Sequence, residues 1–167
     1  MQQENMRKKD LLKLLEKENI DYILQEHQTG SAMEETEISE HGQNEAYCLF
    51  LKDEKNGNYY LIARDGTGSC SLSALRHMLG SGPLSDASEK DLKRILRIPV
   101  NNVNPGGILN DEKHLCEAVI DVRLRNRQIA VCPNRSKTEF LLKTEDLVSL
   151  IEKQGHSVHW ADLDQIL

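Results

Sequence analysis

The sequence predicts an α+β fold in which a mixed β-sheet, or a barrel, is covered by helices. Two patterns favour this class: predicted strands outnumber predicted helices, and hairpin signals accompany the longer connections. The size agrees, because 167 residues with 38% hydrophobic and 29% charged residues suit one globular domain. We therefore expect residues 1–167 to form a single domain.

The first predicted helix lies at residues 8–18, where leucines recur among Lys and Glu residues and leave one polar side. A strand is expected at residues 21–27. Residues 28–44 are polar and weakly patterned, with one helical turn expected at residues 32–36. This long connection forms either a mobile flap or part of a pocket rim.

A hairpin is expected next, because two β-rich runs at residues 46–53 and 59–64 flank the sequence Lys55-Asn56-Gly57-Asn58. Asn-Gly is a strong hairpin signal, since both residues tolerate a positive φ. Alternation gives the first strand two faces. One carries Tyr47, Leu49 and Leu51, and the other carries Cys48, Phe50 and Lys52.

A turn at residues 65–69 leads to a short strand near Cys70 and a helix at residues 72–79. The Gly-x-Gly of this turn is not a dinucleotide-binding motif, because the third glycine is missing. Ser88 is a suitable N-cap for a helix that runs to Arg97 and stops before a proline.

The second half of the chain continues with strands at residues 118–121, 128–132, 138–142 and 158–161. A helix precedes the final strand. Thr144 is expected to cap this helix, Gly155 marks its end, and its inward side carries Leu147, Leu150 and Ile151.

Between the Ser88 helix and these strands, residues 103–111 read Val-Asn-Pro-Gly-Gly-Ile-Leu-Asn-Asp. A tight turn is the plain interpretation of an isolated Pro-Gly-Gly. Pro105 fixes one φ angle, while Gly106 and Gly107 lack the Cβ atoms that would keep a ligand away from main-chain N–H groups. The segment is therefore also a candidate substrate loop.

The net charge of −6 argues against broad binding to nucleic acid, and no DNA partner is expected. Two basic groups are nevertheless compatible with a localised phosphate contact, although solvated surface is the plainer interpretation. The first has helical spacing and would line one side of a helix: Lys90, Lys93, Arg94 and Arg97. The second would line one face of an extended segment: Arg123, Arg125 and Arg127.

The histidines and cysteines do not indicate a metal site. His156 and His159 are three residues apart in a segment that resembles a strand, so their side chains would face opposite sides. The cysteines form no Cys-x-x-Cys pair and are expected to be buried or incidental thiols. They are Cys48, Cys70, Cys116 and Cys132.

The sequence also bears on location. Its apolar runs are too short for a membrane span, and its amino terminus lacks the apolar core of a secretory signal. A cytoplasmic location and the absence of a membrane partner are therefore expected, whereas the oligomeric state is left open.

Five stretches occur in an order and spacing found in one known family. They are the leucine-rich first helix with residues 22–27, residues 49–53 with 58–61, residues 87–92, residues 103–111, and Asp146-Leu147 with Gly155-His156. Through these stretches residues 10–162 resemble the YbaK and prolyl-tRNA-synthetase-associated family, specifically its free-standing prolyl-tRNA deacylases.

This resemblance implies a hydrolase that removes a wrongly attached amino acid from tRNA by cleaving the ester at the 3'-terminal adenosine. It implies a barrel-like mixed sheet flanked by helices, a pocket for the tRNA acceptor end, and no cofactor. The reaction needs a positioned water, donors for the developing oxyanion and a cavity that sorts side chains by size. In this interpretation Gly106, Gly107 and Asn110 hold the ester or the adenosine, and the two basic groups contact tRNA phosphates.

The sequence departs from the family at two positions that the resemblance links to chemistry. Tyr47 occupies the position of a family lysine, and a phenol is neutral near pH 7. Cys132 occupies the position of a family histidine, whereas Pro133 and Asn134 match and are candidate substrate-binding residues. We expect Tyr47 and Cys132 to line the pocket without assigning either a catalytic role. A water nucleophile is preferred over Cys132, because no base accompanies that thiol in the sequence.

Three hypotheses remain open at this point. The first is an editing hydrolase whose altered pocket selects an altered aminoacyl group. The second is a binding module that kept the fold, lost the chemistry and recognises aminoacyl-tRNA, an amino acid or a protein partner. The third is a metabolite-binding protein whose pocket no longer admits tRNA.

Overall fold

The fold was obtained as a computed structural model. It describes residues 8–26, 46–66, 71–99, 103–132 and 138–163. Several sequence predictions lie outside these ranges, namely those for residues 28–44, Cys70, Pro133 and Asn134.

Helices form where the sequence supplies an apolar stripe, and serine caps two of them. The helices are α1 (Lys8–Lys17), α2 (Leu72–Leu79), α3 (Glu89–Ile95) and α4 (Thr144–Lys153). The hydroxyl oxygen of Ser71 accepts a hydrogen bond from the first turn of α2, and that of Ser88 accepts one from the first turn of α3. The helical predictions are thereby confirmed in position.

Seven strands of the described ranges lie on the predicted β-rich runs, whereas the strand Leu84–Asp86 was not predicted. They are β1 (Ile23–Glu26), β2 (Tyr47–Asp53), β3 (Tyr59–Arg64), β4 (Leu84–Asp86), β5 (Cys116–Asp121), β6 (Gln128–Val131), β7 (Thr138–Lys143) and β8 (Val158–Ala161). One sheet has the order β1-β7-β6, and the other has the order β4-β2-β3-β5-β8. Because β3, β5 and β8 pair in parallel while β2 pairs antiparallel with β3 and β4, the larger sheet is mixed, as predicted.

The main apolar core lies between the two sheets. Phe50 and Leu61 enter it from the larger sheet, and Val131 and Phe140 enter it from the smaller one. A second, smaller cluster covers the other face of the larger sheet, where Leu75 of α2 packs against it. Within the described ranges no strand pairing joins the two sheets into a closed barrel.

The hairpin between β2 and β3 forms as expected, but its turn differs in detail. Gly57 has a φ of +77°, whereas Asn56 does not adopt a positive φ. Instead, the buried Asp53 carboxylate accepts hydrogen bonds from the N–H groups of Lys55 and Asn56 and from the N–H of Gly82. A side chain within β2 therefore organises this turn, which is longer than a two-residue hairpin.

Two helix-end predictions are wrong. The helix that begins after Ser88 ends at Ile95 rather than at Arg97, because the N–H of Arg97 turns back to the Leu92 carbonyl with a φ of +57°. Thr144 lies inside α4 and does not cap it. Its hydroxyl donates to the Arg127 carbonyl, which fastens the start of α4 to the segment before β6.

Candidate functional site

The Pro-Gly-Gly segment folds as a short 3-10 helix, Pro105–Asn110, which we call the PGG helix. Asn104 precedes it in an extended conformation, and its side-chain oxygen accepts a hydrogen bond from the Gly106 N–H at 2.9 Å. Proline at the first position suits this geometry because that position needs no N–H. All six residues of the PGG helix are buried.

Asn104 also ties the PGG helix to the end of β6. Its side-chain nitrogen donates to the Cys132 carbonyl at 2.9 Å, and its side-chain oxygen accepts from the Cys132 N–H at 2.9 Å. An amide side chain can pair with a peptide group in this manner because it carries both a donor and an acceptor. The structure thus brings two sequence-predicted parts of the site together, the Pro-Gly-Gly segment and Cys132.

Both glycines lie close to neighbouring side chains. A Cβ on Gly107 would lie 2.7 Å from Cδ1 of Ile98, and a Cβ on Gly106 would lie 3.0 Å from Cβ of Val131. Their N–H groups are also engaged, since Gly106 donates to the Asn104 side chain and Gly107 donates to the Asn104 carbonyl. The expectation that both N–H groups are open to a ligand is therefore wrong, while substrate contact by these residues stays a prediction.

Asn110 and Asp111 close the other end of the PGG helix. The side-chain amide of Asn110 donates to the Leu96 carbonyl at 2.8 Å and holds the end of α3. Asp111 accepts from the Cys116 N–H at 2.8 Å, and one of its oxygens lies 3.8 Å from Nδ1 of the buried His156. Asn110 is only 3% exposed, so its observed contacts are structural and its predicted contact with substrate stays untested.

Cys116 and His156 lie in the same buried region. Burial raises the pKa of the Cys116 thiol well above its usual value, and the neighbouring Asp111 carboxylate raises it further. The thiol is therefore protonated and is a poor nucleophile. His156 places Nδ1 3.0 Å from the Cys116 carbonyl, so its ring helps to hold β5 against the segment before β8.

Tyr47 and Cys132 differ in exposure. Tyr47 is the first residue of β2 and is 41% exposed, while Cys132 is 6% exposed. Tyr47 is paired across the β2–β3 ladder with Arg64, which is 9% exposed. That Tyr47 and Cys132 share one pocket stays a prediction.

The first basic group does not form one stripe. Lys90 and Lys93 are exposed on α3, whereas Arg97 lies beyond its end and its side chain is only 10% exposed. Arg94 donates to the Asp91 carboxylate at 2.9 Å and to the Tyr59 hydroxyl at 3.2 Å. Arg94 and Arg97 border a cavity of about 60 Å³ that is lined by charges of both signs.

The second basic group was predicted to be extended, and that prediction is wrong. A short 3-10 turn occupies residues 122–124, because the Asp121 carboxylate accepts from the Arg123 N–H and caps it. Arg125 instead packs over the Trp160 ring at 4.6 Å, and Arg127 pairs with Asp65 at 2.8 Å. The three guanidinium groups consequently do not line one strand face.

The described residues show neither a metal-binding cluster nor a membrane-spanning helix. In the parts of the chain that the structure covers, no group of three or more His, Cys, Asp or Glu side chains is placed to hold a metal ion. Over the same residues, no helix is long and apolar enough to cross a membrane.

Comparison with known proteins places this arrangement in a family. The family model of the aminoacyl-tRNA editing domain matches residues 27–150, which include β2, β3, the PGG helix and Cys132. The chain belongs to the aminoacyl-tRNA editing domain family. This result confirms the resemblance stated from the sequence motifs.

A curated relative supports the same membership in the editing domain family. It is the prolyl-tRNA editing protein ProX of Acetoanaerobium sticklandii, 34% identical over 154 residues, which are 90% of this chain and 93% of the relative. Among solved structures, a candidate trans-editing enzyme for prolyl-tRNA synthetase is similar with a TM-score of 0.62 and 21% identity, over 92% of this chain and 93% of the other. The hypothetical protein APE2540 matches with a TM-score of 0.65 and 16% identity, over 89% and 96%. These structures establish the fold of the editing domain here.

Sequence reasoning missed the role of Asn104 and the burial of Arg64. Asn104 carries a recognisable signal, since Asn directly before Pro is a favoured start for a short helix. Arg64 gives only the unusual pattern of a charged residue at the end of a fully buried strand. Its place opposite Tyr47 depends on the register with β2, which a single sequence does not display.

Proposed function

We propose that this editing domain hydrolyses the ester bond of mischarged aminoacyl-tRNA at the 3'-terminal adenosine. The observation that carries the proposal is the family match over residues 27–150, which spans both halves of the candidate site. The 34% identical relative is named a prolyl-tRNA editing protein, so tRNA specific for proline and carrying a wrong amino acid is the first substrate to test. We also propose that the protein acts in the cytoplasm and that residues 1–167 form a single domain.

The chemistry balances with water as the nucleophile. The water oxygen bonds to the ester carbonyl carbon, the bond from that carbon to the ribose oxygen breaks, and a proton passes to the ribose oxygen. Cys132 is an unsuitable nucleophile because its side chain is buried and its peptide is fixed on both sides by Asn104. We place Tyr47 and Cys132 beside the aminoacyl group, where their neutral side chains shape the pocket.

The acceptor end of the tRNA also needs contacts to its backbone. Lys90 and Lys93 are exposed on one helix, where Lys93 also pairs with Glu89 at 3.2 Å, and we assign both to contacts with phosphates. Because the chain carries a net charge of −6, such contacts position the tRNA locally without making the whole surface attractive to nucleic acid.

The decisive experiment incubates the protein with a panel of tRNAs that each carry a wrong amino acid and measures ester loss against spontaneous hydrolysis. We expect accelerated loss of at least one aminoacyl type from proline-specific tRNA, while correctly charged tRNA is spared. Cys132→Ala should retain turnover if water is the nucleophile. Loss of all activity in a folded Cys132→Ala protein would contradict the water mechanism.

A binding module without chemistry is the second candidate. It is favoured by the neutral Tyr47 and Cys132 and by the internal use of the Gly106 and Gly107 N–H groups. Saturable binding of aminoacyl-tRNA without ester loss across the whole panel would establish this alternative and exclude the hydrolase for the tRNAs tested.

A further inference from the structure

A cavity of about 60 Å³ lies between the end of α3 and the end of the PGG helix. Arg94 and Arg97 border it on one side, and Asp111, Glu112 and Lys113 border it on the other. The cavity adjoins the candidate site, because Asp111 caps the end of the PGG helix. Sites that enclose a whole small molecule have volumes of roughly 300–1,000 Å³. A cavity of this size therefore suits one compact group of a larger ligand.

The two carboxylates at the cavity already have partners within the protein. Asp111 accepts a hydrogen bond from the Cys116 N–H at 2.8 Å. Glu112 lies 3.4 Å from a terminal nitrogen of Arg97. Each carboxylate is thus stabilised without a ligand.

Two of the cations at the cavity, by contrast, keep donors for a ligand. Lys113 is exposed, and among the described residues its ammonium has no ion pair. Arg94 bonds to Asp91 and to Tyr59 through one terminal nitrogen, whereas a guanidinium carries three more N–H groups on its other two nitrogens. These donors favour an anion, and phosphate oxygens accept charge-assisted hydrogen bonds of this kind.

The backbone at Arg97 gives an independent indication of function. Arg97 directly follows the C-cap of α3 with a φ of +57°, and its N–H bonds to the Leu92 carbonyl. Glycine is the usual residue at such a helix end, because a side chain makes a positive φ costly. An arginine in this strained conformation indicates a use for its side chain, which borders the cavity and is only 10% exposed.

We propose that the cavity binds one phosphate group of the tRNA backbone through Lys113, Arg94 and Arg97, a proposal that rests on the deacylation proposed above. The phosphate remains intact, and no bond forms or breaks at this place. Such a contact adds affinity and positions the acceptor end beside the PGG helix without reading its sequence.

The first test measures binding of uncharged proline-specific tRNA at a series of salt concentrations. Lys113→Gln should weaken binding about tenfold at low salt and reduce the slope of log K against log salt by about 1, as expected for one lost phosphate contact. Lys13→Gln removes the same charge from the exposed side of α1 and should match the wild type in both. Wild-type affinity and slope in Lys113→Gln would overturn the proposal.

A matched pair of variants at Arg97 separates binding from folding. Arg97→Ala and Arg97→Gly both remove the guanidinium, but glycine relieves the positive φ and should unfold at a higher urea concentration than alanine. Both variants should bind tRNA equally weakly if the side chain contacts phosphate. Weak binding by Arg97→Ala together with wild-type binding by Arg97→Gly would overturn the assignment of Arg97.

Inorganic phosphate distinguishes the two sources of the bound group. At constant ionic strength, replacing chloride by phosphate should displace tRNA from the wild type and have less effect on Lys113→Gln. Equilibrium dialysis measures binding of inorganic phosphate alone. If the wild type binds inorganic phosphate while the Lys113 and Arg97 variants still bind tRNA normally, the cavity takes free phosphate and its role toward tRNA is overturned.

Ester hydrolysis separates this proposal from the proposed function. With mischarged proline-specific tRNA, Lys113→Gln should raise KM and leave kcat unchanged, because the phosphate contact is the same before and during the reaction. An unchanged KM would overturn the phosphate site and leave the hydrolase intact. A wild-type protein that binds tRNA through Lys113 but deacylates none of the panel would overturn the hydrolase and support the phosphate site.

Discussion

Asn104 shows how one side chain can hold a candidate site together. It pairs with both peptide groups of Cys132 and accepts the N–H of Gly106, so it fixes the start of the PGG helix against the end of β6. Local sequence was sufficient to single out the Pro-Gly-Gly segment. It could not predict that Asn104 also pairs with Cys132, because the two residues lie 28 positions apart.

A prediction at the residue scale concerns the effect of a methyl group at Gly107 on stability. Gly107→Ala places a methyl group 2.7 Å from Cδ1 of Ile98, and overpacking of this kind lowers stability by about 1–3 kcal/mol. Ile98→Val removes the atom in question and costs roughly 0.5–1.5 kcal/mol alone. We expect the double variant to be more stable than the sum of the two single effects predicts, as measured by urea unfolding.

Together, Gly107→Ala, Ile98→Val and the double variant form a cycle that separates packing from any role of Gly107 in binding. A double variant whose loss of stability equals the sum of the single losses would contradict the contact with Ile98. Restored stability without restored ester hydrolysis would indicate that the backbone at Gly107 also faces substrate. The same cycle therefore tests the packing requirement and the untested substrate-binding assignment.

At the scale of elements, sequence periodicity predicted the hairpin strands correctly but did not predict how the alternating arginines are arranged. The hairpin strands lie within one residue of their predicted bounds, since alternation and an Asn-Gly turn act locally. The run of Arg123, Arg125 and Arg127 alternates equally well, yet Asp121 caps a 3-10 turn within it. A side-chain cap within two residues thus overrides an alternating pattern.

The hairpin turn gives a prediction about pH. Burial alone would raise the pKa of Asp53, but hydrogen bonds from Asn56, Gly82 and Lys55 outweigh it and lower the pKa to about 2 from the ordinary 3.8. Because the folded pKa is the lower one, the ionised carboxylate stabilises the fold above about pH 4. This stability is lost as the pH falls from about 4 to about 2.

Urea unfolding at a series of acidic pH values tests this prediction. Asp53→Asn should lower stability near neutral pH and flatten the part of the profile between about pH 4 and pH 2. Asp86→Asn, at the exposed end of the neighbouring strand β4, is the matched control and should leave that part of the profile in place. An Asp53→Asn profile parallel to that of the wild type would contradict the proposed linkage.

At the scale of the whole molecule, the larger sheet separates two apolar clusters. The main core lies between the sheets, and the smaller cluster lies under α2. The mixed α+β class followed from the sequence because strand and helix periods are local properties. The parallel order of β3, β5 and β8 could not be predicted from the sequence, because the register between distant strands depends on the assembled core.

Shared strands between the two clusters predict cooperative unfolding. Tyr60 and Leu61 point to opposite clusters from neighbouring positions of β3, so neither cluster can lose this strand alone. We expect urea transitions measured by far-ultraviolet circular dichroism and by the fluorescence of Trp160 to coincide, as one domain requires. Trp160 is the single tryptophan of the chain and lies on β8. Two separated transitions would indicate two independently folding parts.

The ladder register of Tyr47 and Arg64 has a consequence for comparing relatives. Two positions that face each other across an antiparallel pair can exchange size and charge during evolution while the backbone stays in place. A survey of relatives that inspects only the alignment column of Tyr47 therefore misses a compensating change in the column of Arg64. The two columns have to be scored jointly, and substitutions at them should covary across the family.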